Sequence, residues 1–200
     1  MDSTKVATRR TQLKAVLATV GLFVVSFGYL AMPTEAFQQQ ASCGNLTLAQ
    51  TEGPYFKANA PERKSLIEPG MTGTKLTLTG QVLSSDCKPI AKARLDFWQA
   101  DDKGVYDNQD FKLRGHQFTD DEGKYALETI LPGLYPGRTR HIHVKIQILN
   151  QPGLTTQLYF PNEPANSSDR IFNPALLVTM KDNENGSKSA TFNFVLKLNN

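Results

Sequence analysis

The run His141-Ile142-His143 is the part of the chain best suited to chemistry. In an extended strand successive side chains leave opposite faces, so both imidazoles share one face while Ile142 enters the core on the other. Two imidazoles side by side on a sheet can chelate one metal ion. The third histidine, His116 in Leu113-Arg114-Gly115-His116-Gln117, reads as a supporting or surface residue rather than a ligand. A complete metal site therefore needs donors of another kind. Tyr135 lies just upstream in Leu131-Pro132-Gly133-Leu134-Tyr135-Pro136-Gly137, where flanking prolines can hold a phenol rigidly near the imidazoles. Tyr106, in Asp102-Lys103-Gly104-Val105-Tyr106, sits in a loop right after an aromatic segment. Taken singly, either tyrosine reads as a half-buried packing residue with its hydroxyl at the surface.

The elements that must position these groups are short strands. Alternation of apolar and polar residues predicts strands over 75–82, 93–100, 117–119, 125–129, 141–149, 156–160 and 189–198. Turns fall at Ser84-Ser85-Asp86 and Asp120-Asp121-Glu122-Gly123, and proline- and glycine-rich loops lie between the strands. Phe37 to Met71 reads as an extended, turn-rich lead-in. Many short strands at even spacing indicate an all-β sandwich with long connecting loops, and 200 residues suit a single domain over 37–200. Trp98 is expected to be buried, backing the pocket. Arg140 is expected to be a solvated charge at a strand start.

Residues 1–36 read as a targeting segment. Arg9-Arg10 followed by Leu13 and Lys14 resembles a bacterial twin-arginine signal, with Gln12 where an aromatic is usual. The uncharged stretch from Ala15 to Met32 is 18 residues, the lower limit for crossing a bilayer, and Thr34 and Ala36 supply the small residues of a cleavage site. The segment is therefore either a cleaved export signal or a retained membrane anchor. The protein is expected to be exported, periplasmic or extracellular, and to meet a membrane only if the leader stays. Without residues 1–36 the chain carries 18 bases against 17 acids and no basic run, so nucleic acid is not expected as a partner. Cys43 and Cys87 read either as a disulfide, which an oxidising compartment permits, or as two buried thiols.

Several segments appear in a fixed order: Thr51-Glu52-Gly53-Pro54-Tyr55, Trp98-Gln99-Ala100 with Gly104-Val105-Tyr106, Thr119-Asp120 with Gly123-Lys124-Tyr125, Pro132-Gly133-Leu134-Tyr135-Pro136, and His141-Ile142-His143. Together they resemble the intradiol ring-cleavage dioxygenases, in particular the smaller secreted relatives. The resemblance spans roughly Thr51 to Phe160. It implies one Fe(III) per chain held by Tyr106, Tyr135, His141 and His143. Ferric iron is a hard acceptor that prefers anionic oxygen, and two phenolates with a hydroxide neutralise its charge. It implies a catechol-type substrate and O2, cleavage between the two hydroxylated carbons, and a muconate-type diacid as product. Tyr135 is then the ligand that leaves and takes a proton. Arg138 stabilises negative charge developing on the ring, Gln157 is a polar residue beside the metal, and Gly53, Pro54 and Tyr55 wall the substrate pocket. In larger relatives that wall can come from another subunit, so a homo-oligomer belongs to the expectations.

Two rivals make different demands. A cupin-type oxygenase wants a carboxylate four residues after His143, where Gln147 stands, and a zinc hydrolase draws on more histidine or carboxylate near the pair. A non-enzymatic secreted β-sandwich that binds a ligand would hold no iron and be colourless.

Overall fold

The computed structural model describes residues 43–199, and the leader expected over 1–36 lies outside them. Within the described residues the chain forms nine strands: β1 Lys75–Ser84, β2 Arg94–Trp98, β3 Arg114–Phe118, β4 Lys124–Ile130, β5 His141–Gln147, β6 Leu154–Tyr159, β7 Thr179–Asp182, β8 Lys188–Thr191 and β9 Phe194–Leu196. Two short 3-10 helices, Pro164–Ser167 and Pro174–Leu176, complete it. One sheet has the order β4-β1-β8-β7, with β9 also pairing β1, and the other runs β3-β2-β5-β6. This is the expected all-β sandwich.

Alternation explains the core. Leu76 and Leu78 of β1, Tyr125 and Leu127 of β4, Leu95 and Phe97 of β2, and Ile142, Val144 and Ile146 of β5 are buried in one cluster between the sheets. The lead-in closes one edge of the sandwich. Arg63 donates its backbone N–H to His116 of β3, Leu66 does the same to Glu128 of β4, and the Leu66 side chain enters the core.

Three features depart from the sequence reading. The last strand, expected over 189–198, is two strands broken at Phe192-Asn193, and both pair in parallel with β1. The break sits opposite Gly80, where a Cβ would lie 1.8 Å from the Phe192 carbonyl oxygen. There the Asn193 side chain replaces a ladder bond by accepting the Gln81 N–H. Strand β3 begins at Arg114, three residues before the expected start, because both faces of Arg114-Gly115-His116 hide the apolar alternation. Strand β7 was not anticipated at all; it is a mostly exposed edge hairpin partner of β8 with no apolar face to betray it.

The register of the four-stranded sheet matters most. Arg114 pairs with Trp98, Trp98 with His143, and His143 with Gln157, while His141 pairs with Tyr159. Since Ile142, Val144 and Ile146 face inward, these polar and aromatic residues form rows on the outer face of the sheet. The site is thus built outside the sandwich core, under a cover of loops.

Candidate functional site

His141 and His143 leave that outer face together, with ring centroids 4.8 Å apart, and both are buried. His141 Nδ1 is 2.7 Å from the Thr139 carbonyl oxygen. A carbonyl only accepts, so Nδ1 carries the hydrogen and Nε2 keeps its lone pair. His143 stacks on Trp98 at 4.7 Å and 9°, and its buried Nδ1 has no partner. Burial pulls both imidazoles down, His141 to about 4 and His143 well below its ordinary value, with the charge of Arg138 adding to the effect at each. Both rings are therefore neutral near pH 7 and can act as ligands.

Two loops bring the phenols to this pair. The turn after β2 is closed by Asp101, whose carboxylate accepts the N–H groups of Lys103 and Val105. The loop before β5 presses against it backbone to backbone, and Gly133 N–H donates to the Asp101 carbonyl at 2.7 Å. Two glycines make this approach possible. A Cβ on Gly104 would lie 2.1 Å from the Leu134 carbonyl oxygen, and one on Gly133 would lie 2.3 Å from Gly104 N. The result is a Tyr106 ring 5.8 Å from the Tyr135 ring and a Tyr106 hydroxyl 3.0 Å from His141 Nε2. Tyr106 is buried, and burial pushes its phenol well above the usual range against the pull of Arg138 and Arg114. A cation at the oxygen is what would ionise it near neutral pH.

Gly53, Pro54 and Tyr55 lie at the rim, from the same chain as the other site residues. Tyr55 stacks on Tyr106 at 4.2 Å and its hydroxyl is 2.9 Å from that of Tyr135. That hydrogen bond is the main cause that raises the Tyr55 pKa. Gly53 lies beside His143, where a Cβ would be in ordinary contact with its Cε1 at 3.5 Å. The segment is held by Arg114, which donates to the Tyr55 carbonyl, and by the Lys145–Glu52 ion pair.

Arg138 donates to Gln157 Oε1 at 2.6 Å through Nη2 and to Asp169 Oδ2 at 2.9 Å through Nε. Gln157 in turn donates to the Thr51 carbonyl, tying Arg138 to the rim segment. Tyr159 is a further hub: its hydroxyl lies within hydrogen-bond distance of three acceptors, Gln50 Oε1, Gln157 Oε1 and the Ile171 carbonyl oxygen, which compete for its one hydrogen. Burial raises its phenol to about 12. His116 lies off the site, its Nδ1 2.7 Å from the Ala60 carbonyl. Arg140 is a correction: it is half-buried rather than solvated, paired with Glu163 and donating to the Pro132 carbonyl, because the loop folds back over the strand start.

Sequence reasoning missed Thr139, Asp169 and Arg114. Tyr159 was reachable: it shares strand parity with Gln157, so it had to face the same way. Asp169 lies in a polar loop with no spacing signal. Among the described residues no cluster of three His, Cys, Asp or Glu side chains forms, so any metal here must draw on the phenols. Two neutral imidazoles with the Tyr106 phenol against them and the Tyr135 phenol beside Tyr106 suit a hard trivalent cation.

The family model described as Dioxygenase matches residues 51–199. The chain belongs to the intradiol dioxygenase family. It is 51% identical to the dioxygenase domain of a dioxygenase carbohydrate-binding protein fusion from the cellulolytic bacterium Streptomyces sp. SirexAA-E, with a TM-score of 0.75, covering 78% of this chain and 100% of that one. It is 29% identical to 3-chlorocatechol 1,2-dioxygenase from Rhodococcus opacus 1CP, with a TM-score of 0.72, covering 76% and 72%. It is 31% identical to hydroxyquinol 1,2-dioxygenase from Rhizobium sp. over 60% of this chain and 50% of that protein. The chain spans little more than half the length of the curated relatives it matches. Members of this family use non-haem iron.

Proposed function

We propose that this chain is an Fe(III)-dependent intradiol dioxygenase that cleaves a catechol-type ring between its hydroxylated carbons, adding both atoms of O2 to give a muconate-type diacid. The observation that carries the reading is the meeting of two phenols and two neutral imidazoles on one covered face, with the Tyr106 hydroxyl aimed at His141 Nε2. Tyr106, Tyr135, His141 and His143 would hold one iron per chain. When bound, ferric iron would supply the Lewis acidity that ionises the phenols and makes a coordinated catecholate reactive toward O2.

The chain's own residues do the rest. Tyr135, half-buried beside the rim, is placed to make way for substrate and take up a proton. Tyr55, 2.9 Å away, holds that hydroxyl by a hydrogen bond. Gly53, Pro54 and Tyr55 form the wall against which the ring lies. Arg138 directs a fixed positive charge toward negative charge developing on the ring, and Gln157 fixes the guanidinium. Catechol and O2 are the small-molecule partners this chemistry needs.

Export is part of the proposal. It is supported by the pairing of Cys43 with Cys87, which suits an oxidising compartment. Oxygen uptake with a panel of catechols tests the activity. One equivalent of O2 consumed per ring-cleaved diacid is expected. An iron-loaded protein that consumes no O2 with any catechol contradicts it.

A further inference from the structure

Asp169 lies in the turn after the first 3-10 helix, within the residues that the family model matches. Its side chain is only 1% exposed. Oδ2 accepts both Arg138 Nε at 2.9 Å and the Thr139 backbone N–H at 3.0 Å, while Oδ1 accepts the Ile171 N–H. Thr139 is fully buried and clamped a second time, its hydroxyl donating to Asn166 Oδ1 at 2.6 Å. Asn166 is itself anchored to the Phe160 carbonyl. The Thr139 carbonyl then takes the Nδ1 hydrogen of His141. One loop carboxylate therefore stands behind two different parts of the site.

We propose that Asp169 is a positioning residue for the reaction, fixing the Arg138 guanidinium directly and the His141 imidazole through Thr139. The proposal rests on the functional reading above. The chemistry requires both connections. A guanidinium on a long side chain stabilises charge at a defined place only if its own rotamer is locked, and Asp169 and Gln157 grip it from two directions. A histidine presents the correct nitrogen only if the other is committed, and residues that orient a ligand in this way are worth about 10- to 100-fold in metal affinity or activity. A buried carboxylate satisfied by three N–H donors is rigid enough to do both.

Two measurements test it. The first is independent of turnover. Fe(III) affinity, read by competition with a chelator, is expected to fall about 10- to 100-fold in Asp169→Ala. Where that variant fails to fold by circular dichroism, Asp169→Leu, which fills the site but accepts nothing from the Thr139 N–H, takes its place. The second is a mutant cycle on kcat. Asp169→Asn is expected to lower kcat about 10- to 100-fold in the natural sequence but less than about threefold in an Arg138→Ala background. Asp169→Glu, which retains the charge, recovers part of the loss. Unchanged iron affinity, or an equal loss of kcat in both backgrounds, overturns the proposal. A wild-type protein that binds iron yet leaves every catechol intact contradicts the proposed activity alone, and the affinity measurement still decides the role of Asp169.

Discussion

At the scale of single residues, the site depends on keeping two imidazoles neutral in a buried place. Burial lowers His141 to about 4 and pulls His143 well below the ordinary value near 6.5. In the metal-free protein this has a definite sign. Between about pH 4 and pH 6.5 the unfolded chain binds more protons than the folded one, so stability falls as the pH drops through that window and is level above it. Each such imidazole contributes a slope of up to about 1.4 kcal/mol per pH unit. Urea midpoints measured from pH 7.5 to pH 4.5 are expected to decline below pH 6.5, and a constant midpoint contradicts the burial of neutral rings. The candidate ligands were legible in the sequence because a His-x-His pair has a fixed geometric meaning on a strand and the tyrosines fall in ordered segments. Thr139 and Asp169 were not, because a lone polar residue acquires its meaning only from what the fold brings beside it.

At the scale of elements, two loops meet because Gly104 and Gly133 let their backbones touch. Gly133→Ala is expected to force them apart, since its Cβ would lie 2.3 Å from Gly104 N and 2.6 Å from the Asp102 carbonyl oxygen. Overpacking of this kind costs about 1–3 kcal/mol. Iron affinity is expected to fall by at least about tenfold while the far-ultraviolet circular dichroism stays that of a β-sandwich. A variant that binds iron as tightly as the natural protein contradicts the role given to this contact. Strands with one apolar face, such as β1, β4 and β5, could be read from alternation. Strand β3 could not, because Arg114 and His116 project from its outer face and Gly115 packs close to Arg63 and Leu66. The division of the last strand was hidden too, since it depends on Gly80 meeting Phe192 across the sheet.

At the scale of the molecule, the sandwich is a platform whose outer face carries the chemistry, and the lead-in both closes an edge and supplies the rim. The Cys43–Cys87 bridge pins the start of that lead-in to the turn after β1, with a sequence separation of 44 between the cysteines. Closing a loop of this size stabilises the folded state by about 2–4 kcal/mol. Replacing both cysteines by serine is expected to lower the urea midpoint accordingly, and to leave iron affinity unchanged because the bridge is distant in the chain from every proposed ligand. The sequence left open whether these thiols pair, because connectivity depends on the distance between Cα atoms, here 5.2 Å.

The central claim is that two phenolates and two imidazoles hold ferric iron, and visible absorption of iron-supplied protein tests it most directly. One iron per chain and a red-brown band from phenolate-to-Fe(III) charge transfer are expected, weakened or shifted in Tyr106→Phe and Tyr135→Phe, lost with the iron in His143→Ala, and unchanged in His116→Ala. A colourless protein without stoichiometric iron, or loss of the band in His116→Ala alone, would contradict it.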